Sequence, residues 1–333
     1  MIDFRYHVVS IIAVFLALTV GLVLGATIVN QDAVHNLQGS INSANNQINT
    51  LKEKNRDLTA DGANLQGYID GTKSNLVNGA LEQYSVAVVR IDGSDDGQNN
   101  STLALVKRGG ATIASDITVN KTFADGSSTQ QLADLVKNYT PTAQPVAGTG
   151  TTAAMNLLAE ALTAQLNVNS SAPAGTGPNT TPSTMTPQWA VKTLDAFKQN
   201  GVIAVNQYPL TTVVTRPNAA FIAAPTGPDD PDANTAYVAL AQALRADGTG
   251  PVIAGPSGAA GPGGLITAVL KGAAAKTVST IDDMDQTTGQ VAVVFVLYQE
   301  AANPSAAAGH YGTVGTTDGL LPKLPPLPTP SAS

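Results

Sequence analysis

Apolar and polar positions fall into three successive patterns along this chain. From Val8 to Val29 no charged residue occurs. Coiled at 1.5 Å per residue, that run spans about 33 Å, one hydrocarbon core. It continues through Thr27, Ile28 and Val29, past the small residues where a leader would be cut, and it exceeds the ~7–15 apolar residues of a secretory signal. A retained anchor is expected. Arg5 precedes it and Asp32 follows, so the positive-inside rule places the N-terminus in the cytoplasm and the remainder outside as a single-pass protein. Ala13, Ala17, Gly21 and Gly25 form a four-residue repeat of small side chains that lets two helices approach closely in lipid.

The second pattern begins directly afterwards. In "VHNLQGSINSANNQINTLKEKNRDLTADGANLQGYI", residues 34–69, heptad a positions are Val34, Ile41, Ile48, Asn55, Gly62 and Ile69; d positions include Leu37, Ala44, Leu51, Leu58 and Leu65. β-Branched residues at a with leucine at d favour two parallel strands, and one Asn at a fixes their register. A helix lying back on its own domain would need a wider apolar face than this 3.5-residue seam. The reading is a parallel homodimer through Ile41, Ile48, Leu51, Asn55, Leu58 and Leu65, with the small-residue stripe as its continuation in the membrane.

Beyond Gly79 the pattern changes again. Short apolar runs at 84–91, 111–117, 201–206, 219–225 and 251–255 are rich in Val, Ile and Ala, and helical stretches at 100–108, 127–138, 151–166, 187–199 and 232–246 lie between most of them. That alternation predicts an α/β fold with a mainly parallel sheet covered on both faces. "TTGQVAVVFVLYQEAA", 287–302, fits a buried helix by its length and the Asp-rich turn before it. The expected organisation is therefore 1–30, cytoplasmic N-terminus and transmembrane helix; 31–80, coiled-coil stalk; 81–305, α/β sandwich domain with a flexible Pro/Thr-rich insertion near 168–187; and 306–333, a Pro-rich tail.

Composition narrows the chemistry. The 333 residues carry a net charge of −7 and no cysteine. No basic stripe exists to neutralise phosphates, so nucleic acid is not an expected partner. Thiolate metal sites and disulfides are excluded. Three acidic clusters follow predicted strands or precede helices: Asp92, Asp95 and Asp96; Asp229, Asp230 and Asp232; and Asp282, Asp283 and Asp285. The first and last are candidates for a hard cation, although Asp is equally at home in turns and at helix N-caps. "GPSGAAGPGG", 255–264, lacks the Lys-Ser/Thr of a P-loop and reads as a turn. Of the histidines His7, His35 and His310, only the last belongs to the domain, and no Ser or Cys partner accompanies it by motif. No catalytic residue and no cofactor site is expected, and the chain is read as a non-enzyme.

The opening "DFRYHVVSIIAVFLALTVGLVLGA" and the closing "STIDDMDQTTGQVAVVFVLYQEAA…GHYG…LLPKLP" resemble the actinobacterial MctB family, described as copper transport outer-membrane proteins. The resemblance covers essentially the whole chain and implies copper transport or homeostasis at the cell envelope, in the outer membrane by the family's description. The residues themselves supply few copper ligands. Copper(I) favours thiolate and thioether and copper(II) imidazole, whereas this chain has no Cys, three scattered His, and Met only at 1, 155, 185 and 284. Nor do short strands apolar on both faces suit a membrane barrel. The alternative reading is a dimeric, non-enzymatic envelope scaffold that binds a cell-wall or division partner.

Overall fold

The computed structural model describes residues 4–124, 128–141, 146–164, 187–207, 216–314 and 318–323. The expected insertion, as far as residue 186, and the tail from 324 lie outside them. Two compact units divide the chain, Met1–Gly67 and Tyr68–Ser333.

One helix, α1 (Phe4–Leu76), carries both the expected anchor and the expected stalk. Within it Phe4–Gly25 is long and apolar enough to cross a membrane. The heptad residues of the first unit stand in the open: Val34, Leu37, Ile41, Ile48, Leu51, Leu58 and Leu65 are between 48% and 70% exposed.

The second unit is built on a seven-stranded sheet. Its strands are β1 (Ser85–Ile91), β2 (Thr112–Val119), β3 (Ile203–Gln207), β4 (Ala219–Ala223), β5 (Gly250–Ala254), β6 (Ser279–Ile281) and β7 (His310–Tyr311), in the order β3-β2-β1-β4-β5-β6-β7. All neighbours pair in parallel except β3, an antiparallel edge on β2. Such an edge on an otherwise parallel sheet is common. The helices are α2 (Asp96–Arg108), α3 (Lys121–Ala124), α4 (Thr129–Tyr139), α5 (Gly150–Thr163), α6 (Pro187–Gln199), α7 (Pro231–Ala246), α8 (Leu265–Lys271) and α9 (Thr287–Ala302). Side chains alternate across the strands, and so does the core. Val86, Val88, Phe221 and Val252 pack with α2 and α9 on one face, and Val77 and Leu81 join them. Ala87, Val89, Ile222 and Ile253 pack with α4 to α8 on the other.

The apolar runs locate β1 to β5, and α9 occupies 287–302 as its length predicts. Strands β6 and β7 were not expected, because three and two residues are too short to show an alternation. Helix starts follow side-chain chemistry: Asp95 accepts from the Gln98 amide at the start of α2, and Asp230 from the Asp232 amide ahead of α7, with Pro231 in its first turn.

One charged pair lies inside the sheet. Arg90 on β1 donates through Nε and a terminal nitrogen to the two carboxylate oxygens of Asp116 on β2, at 2.9 and 2.8 Å, and its other terminal nitrogen reaches Asn100 at 3.0 Å. Arg90 and Asp116 are 8% and 2% exposed, so neither charge can fall back on water. Replacing Asp116 by Ala is expected to destabilise the domain by about 3 kcal/mol or more, because it strands a buried guanidinium. The double replacement Arg90→Met with Asp116→Leu should recover most of that loss. Urea denaturation of the three proteins checks both statements.

Candidate functional site

In open α/β sheets ligands bind beyond the carboxyl ends of strands, where strand order reverses. Here the reversal lies between β1 and β4, since β2 and β3 follow on one side of β1 and β4 returns to the other. The loops after β1 and β4 bring two of the acidic clusters to this point. Asp92, Asp95 and Asp96 are exposed, and Asp95 is the cap of α2. Asp230 caps α7, while Asp229 accepts from Lys121 Nζ at 2.6 Å and from the Asp230 amide at 2.8 Å. Lys121 follows β2 and Asp229 follows β4, so their ion pair crosses over the end of β1 between them. The second carboxylate oxygen of Asp229 is buried without a hydrogen-bond partner.

Hydrogen bonds within the chain run between the loops that border this crevice. Thr226 N donates to Gly93 O at 3.1 Å, and Asp229 N and Asn234 Nδ2 donate to Gly263 O at 3.0 and 2.9 Å. The glycines of 255–264 make this packing possible. A Cβ at Gly258 would strike the Thr226 carbonyl, and Gly263 holds φ at +79° against Pro228. Close approach of two loops, rather than a phosphate cradle, accounts for the glycine-rich stretch.

Asp282, Asp283 and Asp285 lie elsewhere on the same rim, after β6. Three strand spacings separate β6 from β1, roughly 14 Å. The candidate cation ligands therefore fall into separate groups, and among the described residues no three His, Cys, Asp or Glu side chains are placed to hold a metal ion. Asp282 accepts from the Thr313 and Val314 amides at 2.6 and 3.0 Å and so fastens the segment after β7. Asp283 accepts from Thr288 Oγ1 at 3.1 Å, its other oxygen is buried unpartnered, and burial pushes its carboxyl up to about 6, with the Asp282 charge adding to the shift. Asp285 is exposed. Thr287, at the start of α9, donates to Asp70 at 2.7 Å, and that hydrogen bond, with the one from Lys73, holds the Asp70 carboxyl below its usual range.

Sequence reasoning passed over two sites. Arg90 and Asp116 were visible as charges inside apolar runs, the signal that a buried pair leaves. Glu160 on α5 is pushed up to about 7 by burial and next by the charge of Asp247, which accepts from Thr163 Oγ1 at 3.0 Å. Glu160 lies in an Ala- and Leu-rich helix, and its proximity to Asp247 has no local trace in the sequence.

Among the described residues, soft metal donors do not converge. Met155 and Met284 are fully buried on opposite faces of the sheet. His7 and His35 are exposed on α1. His310 lies with Nε2 2.9 Å from the Ala275 carbonyl, which can only accept, so that nitrogen carries a hydrogen; Nδ1 is 2.9 Å from Thr280 Oγ1. Both ring nitrogens are thus engaged in holding β7 to its neighbours.

The uninterrupted course of α1 also sets the direction of its faces. Carrying the heptad phase back from Val34 puts Ala13 at a, but Ala17 at e, Gly21 at b and Gly25 at f. A repeat of four winds away from a seam of three and a half. In that numbering Ala13 shares the a position, whereas Ala17, Gly21 and Gly25 fall at other heptad positions.

The chain was compared with known proteins. The family described as "Copper transport outer membrane protein, MctB" matches residues 1–322. The protein named copper transporter MctB in Mycobacterium tuberculosis is 25% identical over 317 residues, 94% of this chain and 96% of that one. Its namesake in Mycobacterium leprae is 26% identical over 324 residues, covering 96% and 98%. None of these names speaks of the cell wall or division.

The Asp283 carboxyl gives a pH test. Its raised value means that it contributes stability fully present below about 4, the ordinary carboxylate range, and lost as pH rises through about 6. Relative to the parent chain, Asp283→Asn should therefore gain stability between pH 4 and pH 7. Urea midpoints of both detergent-solubilised proteins across that range check the sign.

Proposed function

This chain belongs to the MctB family, and on that premise we propose that it is a membrane-anchored component of copper transport or homeostasis in the cell envelope. The observation that carries the reading is the extent of the match: it runs from the first residue through the anchor, the polar half of α1 and the whole α/β domain. The relatives are likewise covered nearly end to end. The N-terminus lies in the cytoplasm, α1 crosses the membrane through Phe4–Gly25, and the α/β domain works outside. Arg5 ahead of the apolar segment supports that orientation.

Copper is the cargo of the system in which this chain acts, and the chain's own part is to anchor and position. Three features support this. The thioethers of Met155 and Met284 are sealed in separate cores. The ring nitrogens of His310 are occupied. The sheet is open-edged, with helices on both faces, unlike a membrane barrel, whose outer face meets lipid.

Deleting the gene in its native host is expected to raise cell-associated copper severalfold and to increase copper sensitivity. The full chain should restore both, and a chain starting at residue 34 should not. Elemental analysis of washed cells is the readout; copper content unchanged by the deletion would contradict the proposal.

A further inference from the structure

The exposed face of α1 in the first unit carries hydrocarbon at a 3.5-residue spacing and one amide in its midst. We propose that a second copy of this chain covers that face, parallel and in register from Val34 to Leu65, with Gly21 and Gly25 turned outward from the pair. The inference stands apart from the copper reading, since it uses only α1.

Three observations argue for a second copy, and a fourth sets where the glycines point. The apolar side chains Ile41, Ile48, Leu51 and Leu58 remain 48–70% exposed, although a two-stranded seam is what their spacing fits. Asn55 occupies an a position between Leu51 and Leu58. Against an apolar partner its amide would lose water without replacement, but in a parallel, in-register pair it meets the same amide of its twin and can donate and accept. The flanking charges also agree. Lys52 at e faces Gln47 at g of the other strand, Lys54 at g faces Thr59 at e, and Asp61 at g faces Gln66 at e, so no like charges are opposed. Finally, the phase of the uninterrupted helix places Gly21 at b and Gly25 at f, on the outside of such a pair.

The absence of cysteine makes the test direct, because each variant then carries a single thiol. The full chain would be prepared in detergent as Ile48→Cys, Leu58→Cys, Glu53→Cys and Gly21→Cys and oxidised with iodine. Leu58 and Ile48 lie at the seam, Glu53 at the outer f position, and a disulfide needs Cβ atoms about 3.5–4.5 Å apart. Ile48→Cys and Leu58→Cys should convert mostly to a cross-linked dimer, while Glu53→Cys and Gly21→Cys convert several-fold less. The unsubstituted chain should have twice its single-chain mass by light scattering corrected for detergent, which keeps the test sound should a cysteine loosen the seam. A single-chain mass would overturn the proposal. So would cross-linking at Glu53 as extensive as at Leu58. Cross-linking at Gly21 equal to that at Leu58 would overturn the outward placing of the glycines.

Discussion

Along α1 the side chains of Val34, Leu37, Ile41, Ile48, Leu51, Leu58 and Leu65 are left half exposed or more. Full burial of one such side chain is worth about 1.5–3 kcal/mol, and a helix in water derives most of its stability from covering its apolar face. The N-terminal part of the same helix, Phe4–Gly25, is long and apolar enough to cross a membrane. The first unit thus leaves apolar side chains uncovered along both stretches of α1.

The second unit meets its demands internally. Both faces of the sheet are covered, and at the rim beyond β1 and β4 the loops are tied by Thr226, by the close approach at Gly258 and Gly263, and by the Lys121–Asp229 pair. Buried charge is handled by pairing, as in Arg90 with Asp116, or by a raised carboxyl value, as in Asp283 and Glu160.

Much of this was legible beforehand, and the limits have physical causes. Apolar runs with helices between them marked β1 to β5, because strands buried on both faces need continuous Val, Ile and Ala. The mostly apolar 287–302 segment was legible as a helix because sixteen residues are too many for a strand. Strands β6 and β7 were missed because three and two residues show no period. The antiparallel course of β3 depends on the path of the whole chain rather than on its own sequence. The acidic clusters were found, but sequence cannot say that Asp95 and Asp230 are engaged as helix caps or that Asp282 fastens the segment after β7.

Whether the N-terminal apolar segment stays on the chain decides the account most directly. The native host's inner- and outer-membrane fractions would be separated and the chain recovered from each, and its N-terminal tryptic peptide, Met1–Arg5, sought by mass spectrometry. The account predicts that this peptide is present, with or without the initiator methionine, and that the chain is in the inner-membrane fraction. A chain beginning near Ala26, recovered from the outer layer, would show the segment to be a cleaved leader and would contradict a membrane-anchored protein.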